Sequence, residues 1–225
     1  MSDRLRLAVF DLDGTLIDSA SSIVEGITTC WEACGFPVLD PAQARRVIGL
    51  PWEESIRVLL PGSGTQELAQ IRAYYDEVAQ GRRLPPPRRE AAFPGACETL
   101  AALADTGTLL AIVTSRGNHR VHDILASCGM SDHFLTVKTV DHGPGKPNPY
   151  LLLQAMAELG ARPEQTVMLG DTTYDILMAR NAGTAAVGVS WGVHEAHELT
   201  TAGAHRVVER FDEIPPIVQA LTGER

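Results

Sequence analysis

The chain has 225 residues, of which 44% are hydrophobic and 21% charged, and its formal net charge is −9. That length suits one α/β domain with a sizeable core plus a smaller insertion, and the acidic balance leaves no electrostatic footprint for nucleic acid or an anionic membrane. Apolar runs such as Leu109–Val113 are far too short to cross a bilayer, and the charged N-terminus lacks the apolar stretch of a signal peptide, so no membrane contact and a cytoplasmic location are expected.

In chain order, Leu5–Phe10 predicts the first strand, apolar on both faces as in parallel sheets. Between Ile17 and about Ala92 there is no convincing strand; helices are predicted at Ala20–Cys34, Pro41–Ile48, Trp52–Leu60 and Thr65–Ala79. The proline-rich run Gly81–Gly95 reads as an extended return linker. From about residue 95, strands at Leu109–Val113, Phe134–Thr139, Thr166–Leu169 and Ala185–Val189 alternate with helices at Asn118–Ser127, Pro149–Leu159 and Thr173–Ala182, the last stopped by Gly183. Such alternation predicts an α/β fold, a doubly wound parallel sheet with right-handed crossovers. The cysteines Cys30, Cys34, Cys97 and Cys128 show no CxxC pair and no metal-type spacing with histidine, so they are expected as free thiols, mostly buried, with Cys30 and Cys34 on one packed helix face.

Ligands of open parallel sheets bind beyond the carboxyl ends of the strands. At those ends stand Asp11 and Asp13, then Thr114 and Ser115, then Lys146 in the loop DHGPGKPNP, then Asp171 with Asp175 four residues on. Each has a plain reading: turn formers beside Gly14, helix caps, a solvated lysine. On a strand, however, residues i and i+2 share a side, so Asp11 and Asp13 repel unless a cation lies between them. Lys146 is also unusual, because only it and Lys138 are lysine among 19 basic residues. A parallel sheet brings the carboxylates, hydroxyls and ammonium to one mouth, as a hard-cation site beside an anion site.

The segments DLDGTLIDS, VTS, GKPNP and GDTTYDI, in this order, resemble the four motifs of the haloacid dehalogenase superfamily, and the match spans essentially the whole chain. The resemblance implies a Rossmann-like core over 1–16 and 93–225 with an α-helical cap domain, 17–92, inserted after the first strand. It implies Mg²⁺ and phosphoryl transfer, with Asp11 as nucleophile and Asp13 as general acid and base. Asp11, the Asp13 backbone carbonyl, Asp171 and Asp175 would hold the metal, while Thr114, the Ser115 backbone and Lys146 would bind the transferring phosphoryl group. True haloacid dehalogenases lack an acid at the Asp13 position, and phosphonatases use a cap lysine that the interval from Ile17 to Ala92 does not contain.

Cap length and motif wording most resemble the phosphoglycolate phosphatase branch. A small-molecule phosphate ester is therefore the expected partner, phosphoglycolate first, with monomer and homodimer both open. The alternatives are a phosphomutase of the β-phosphoglucomutase type and a non-catalytic binding relative. Arg45, Arg46 and the Gly49-Leu50-Pro51 turn are candidate substrate readers, although a solvated helix face explains the two arginines as well. His194 and His197 are expected at a surface helix start rather than as a metal pair.

Overall fold

The computed structural model describes residues 5–79 and 90–222. Its strands are β1 (Arg6–Phe10), β2 (Ile17–Asp18), β3 (Ala91–Ala92), β4 (Thr108–Val113), β5 (Thr136–Lys138), β6 (Thr166–Gly170), β7 (Ala185–Val189) and β8 (Arg206–Val208). Six of them form one sheet in the order β5-β4-β1-β6-β7-β8, with every neighbouring pair parallel. The chain starts in the middle of this sheet and winds outward both ways, which places β1 between β4 and β6.

Alternate residues of the sheet feed two separate cores, as the period of two requires. Phe10, Ile112, Leu169 and Val189 face one side, where α5 (Ala96–Asp105), α6 (Asn118–Ser127) and α10 (Ile214–Thr222) cover them. Val9, Val113, Met168 and Ala186 face the other, covered by α7 (Tyr150–Leu159), α8 (Thr173–Ala182) and α9 (Ala196–Thr201). The central strands are buried on both faces, which is why they read as continuous apolar runs.

Between β1 and α5 lies a helical insert: α1 (Ala20–Ala33), α2 (Pro41–Arg46), α3 (Trp52–Leu59) and α4 (Thr65–Ala79). It has an apolar cluster of its own, built on Trp31, Leu39, Ala44, Ile56 and Ile71. Two strands were not anticipated within this region. β2 and β3 pair antiparallel, Ile17 with Ala92 and Asp18 with Ala91, so the outgoing and returning chains form a two-stranded ribbon. A two-residue strand carries too little periodicity to be seen in sequence. Of the expected linker Gly81–Gly95, residues 81–89 lie outside the described residues.

Three further expectations need correction. β5 is shorter than Phe134–Thr139, and β8, with its pattern Arg-Val-Val at the sheet edge, was missed because three residues give no recognisable run. None of the four cysteines is in a disulfide, yet only Cys30 is buried while Cys34, Cys97 and Cys128 are half-buried. Phe10 is fully buried in the cluster that joins β1 to its covering helices. Phe10→Ala should therefore destabilise the protein by about 3–5 kcal/mol in urea denaturation, and a loss below about 1 kcal/mol would show that this cluster does not organise the sheet.

Candidate functional site

Asp11 directly follows β1, and its backbone N–H donates to the Leu169 carbonyl at 2.9 Å, so pairing with β6 continues one residue beyond the strand. Asp171 follows β6, and Asp175 lies one turn into α8. One carboxylate oxygen from each of Asp11, Asp171 and Asp175 falls within 4.8 Å of the others, and all three residues are buried. Lys146, equally buried, places Nζ 2.5 Å from Asp11 Oδ1 and 2.6 Å from Asp175 Oδ1.

Each carboxylate is also oriented by its neighbours. Asp171 accepts from the Thr15 hydroxyl and from the Val193 backbone N–H, both at 2.8 Å. Asp175 Oδ2 accepts from the Thr172 hydroxyl at 2.7 Å and the Thr172 N–H at 3.1 Å, closing a capping box at the start of α8. Thr172, not Asp171, is the N-cap residue, which leaves Asp171 for the site. The packing is tight enough to demand glycine: Gly14 has φ 81°, and a Cβ there would lie 2.3 Å from Asp171 Oδ2.

Three carboxylates against one ammonium leave an excess of buried negative charge. Burial raises the Asp11 pKa well above its ordinary value, with Asp175 and Asp171 adding to the rise against the pull of Lys146. Asp171 is pushed up to about 7, chiefly by burial and then by Asp175. Buried oxygen donors at this spacing fit a hard divalent cation, whose charge would remove the repulsion.

Asp13 sits apart from that triad. Burial would raise its pKa, but Arg116 and Ser19 outweigh burial and hold it below the ordinary value. Arg116 Nε donates to Asp13 Oδ2 at 2.9 Å, its Nη2 reaches Asp13 Oδ1, and Ser19 Oγ donates to that same oxygen at 2.6 Å. The other side of the guanidinium binds Glu90, just before β3, with Nη1 2.9 Å from Oε2. A fork with two carboxylate partners suits arginine and not lysine.

The family model described as haloacid dehalogenase-like hydrolase matches residues 8–189, which covers all four motif segments. The chain belongs to this family. It is 36% identical over 218 residues to "Probable phosphatase IndB" of Dickeya dadantii, spanning 96% of this chain and 94% of that protein. It is 32% identical to a phosphoglycolate phosphatase of Vibrio vulnificus, with 95% and 96% covered. A solved hydrolase of Pseudomonas syringae superposes with TM-score 0.83 at 26% identity, covering 96% of this chain and 98% of that one.

In this haloacid dehalogenase-like hydrolase, the expected residues are placed as follows. Asp11, Lys146, Asp171 and Asp175 converge, and Asp13 and Thr114 line the same cavity as Asp11. The Asp13 carboxylate does not join the acidic triad. Thr114 Oγ1 accepts from the Arg116 N–H at 3.1 Å, and the Ser115 hydroxyl donates to the Gly49 carbonyl of the helical insert at 2.6 Å. Neither caps α6, whose N-cap is Gly117. Lys138, the other lysine, pairs with Glu158 away from the site.

Two expectations fail. Arg45 and Arg46 do not line the cavity; Arg45 donates to the Gly192 carbonyl at 2.8 Å and Arg46 pairs with Glu198 at 2.8 Å, so both tie the insert to the core. His194 is buried ahead of α9 instead of lying on the surface, because its Nδ1 accepts from the Thr173 N–H at 3.0 Å; His197 is exposed. Arg116, Glu90, Ser19 and Thr15 were not singled out in the sequence. Ser19 and Thr15 stand inside the first motif and Arg116 directly after Thr114-Ser115, whereas nothing near Glu90 marks it.

The raised acids predict an inverted pH dependence. Asp171 binds its proton more tightly when folded, about 7 against 3.8, so its favourable contribution is complete below pH 3.8 and is lost as pH rises toward 7. Metal-free protein should thus lose thermal stability between about pH 4 and 7, and Mg²⁺ should restore it at pH 7.5. A melting temperature at pH 7.5 that ignores Mg²⁺ would contradict a cation site.

Proposed function

We propose that this protein is a Mg²⁺-dependent phosphatase that hydrolyses a small phosphomonoester through an aspartyl-phosphate on Asp11. The observation that carries this reading is the meeting of Asp11, Asp171, Asp175 and Lys146 at one buried point, with a second carboxylate, Asp13, held separately in the adjoining cavity. Asp11, the Asp13 carbonyl, Asp171 and Asp175 would hold the metal, which supplies charge neutralisation for the phosphoryl oxygens.

Asp11 attacks phosphorus, and the bond from phosphorus to the ester oxygen breaks. Asp13 donates a proton to the departing alkoxide, then removes one from water as that water attacks phosphorus. The bond to Asp11 breaks, and inorganic phosphate leaves. The two carboxylates need different environments for these tasks, and they have them: Asp11 faces an ammonium and two acids, Asp13 a guanidinium and a hydroxyl. Lys146 favours the ionised form of Asp11 against the opposing effect of burial, and it would offset charge on the transferring group together with the Thr114 hydroxyl and the Ser115 N–H. Arg116 holds Asp13 ionised, so the acid role requires that fork to loosen as substrate arrives.

We further propose that residues 17–92 act as a cap, hinged at the β2–β3 ribbon and closing the cavity against water. Relatives named phosphoglycolate phosphatase make phosphoglycolate the first ester to assay. The cytoplasm is taken as its location on the sequence reading alone. Asp11→Asn should lower Mg²⁺-dependent phosphate release by more than about a thousandfold while far-UV circular dichroism stays unchanged. Undiminished release by that variant would refute the nucleophile assignment.

A further inference from the structure

A cavity of about 370 Å³ runs from Asp11, Asp13 and Thr114 into the interior of the helical insert. Its far wall is apolar: Ile23 and Ile27 from α1, Ile48 and Leu50 from the turn after α2, Ile56 from α3 and Ile71 from α4. Trp31, Trp52 and Tyr75 add aromatic surface to it.

The charges in the cavity argue against a second anionic group on the substrate. Four carboxylates, those of Asp11, Asp13, Glu25 and Glu90, are among its lining residues against the guanidiniums of Arg116 and Arg120. Arg116 is already shared between Asp13 and Glu90. Arg120 is the other cation among the described lining residues, and it too comes from the core side, in α6. The described arginines of the insert are engaged elsewhere: Arg45 and Arg46 on the core, Arg57 with Glu53, and Arg72 with Asp76 and over the Trp52 ring.

Gly26 adds an independent observation. It stands in the middle of α1, where glycine weakens a helix relative to alanine. No close packing requires it, because an added Cβ would meet no atom within 4 Å. It lines this cavity, so what its missing side chain provides is room.

From these observations we infer that the substrate is a phosphomonoester whose alcohol carries an uncharged, apolar or aromatic body seated between α1, α3 and α4, and that Gly26 sets the size admitted. The inference rests on the proposed phosphatase reading and narrows it, away from phosphoglycolate. An aromatic group buried there gains from leaving water, while a carboxylate would add to an existing excess of four lining carboxylates over two guanidiniums, one of them already shared by Asp13 and Glu90.

The test uses non-hydrolysable phosphonates titrated with Mg²⁺ against the full chain, followed by tryptophan fluorescence from Trp31 and Trp52. 2-Phenylethylphosphonate should bind at least about tenfold tighter than ethylphosphonate or phosphonoacetate. Gly26→Leu should abolish that preference, with a melting temperature at or above that of the parent. Equal affinities, tighter binding of phosphonoacetate, or a preference untouched by Gly26→Leu would each overturn the inference. The phosphatase reading is judged separately, by phosphate release from 2-phenylethyl phosphate, ethyl phosphate and phosphoglycolate; selective phosphonate binding without any release would overturn the reaction and keep the pocket.

Discussion

The buried ammonium of Lys146, placed between Asp11 and Asp175, is the interaction on which the rest of the site depends. It joins a loop residue to the end of β1 and to α8, so the charges meet only if the sheet is correctly ordered. One cation stands among three buried carboxylates, and the acids of Asp11 and Asp171 are raised, chiefly by burial and further by their acidic neighbours. Under the proposed function, a divalent ion would remove that excess of negative charge when it binds.

The surrounding architecture serves that arrangement. β1 lies in the centre of the sheet between β4 and β6, so Asp11 is flanked by the strand ends that carry Thr114 and Asp171. Three glycines permit the close approach of backbone to carboxylate here, since a Cβ at Gly14, Gly170 or Gly192 would stand less than 2.5 Å from Asp171 or Asp175. Two covered faces keep water from the strands, and the helical insert supplies a roof.

Arg116 connects that chemistry to the insert. Its fork holds Asp13 on one side and Glu90 on the other, and Glu90 also accepts from Ser22 of α1 at 2.8 Å. Outgoing and returning chains are thereby clasped around Asp13. The second set of ties, Arg45 to Gly192, Arg46 to Glu198 and Ser115 to Gly49, joins the insert to the core near Asp171 and Thr114. Arg45 and Arg46, which sequence alone offers as substrate readers, are therefore positioned as fasteners, whereas Gly49 and Leu50 of the same candidate set line the cavity.

Much of this was legible in the sequence for a local reason. Strand runs, the i, i+2 spacing of Asp11 and Asp13, and the four-residue step from Asp171 to Asp175 are determined by the period of the backbone within a few residues. The central strands are apolar throughout because both of their faces are covered, so they stood out, whereas β2, β3 and β8 are too short to show a period. What only the tertiary structure decided are the partners across long separations: Arg116 with Asp13 and Glu90, His194 with the α8 backbone, Arg45 with Gly192, and the empty space beside Gly26. Charge and shape complementarity of that kind depends on distance in space, and a chain written in order does not contain that distance.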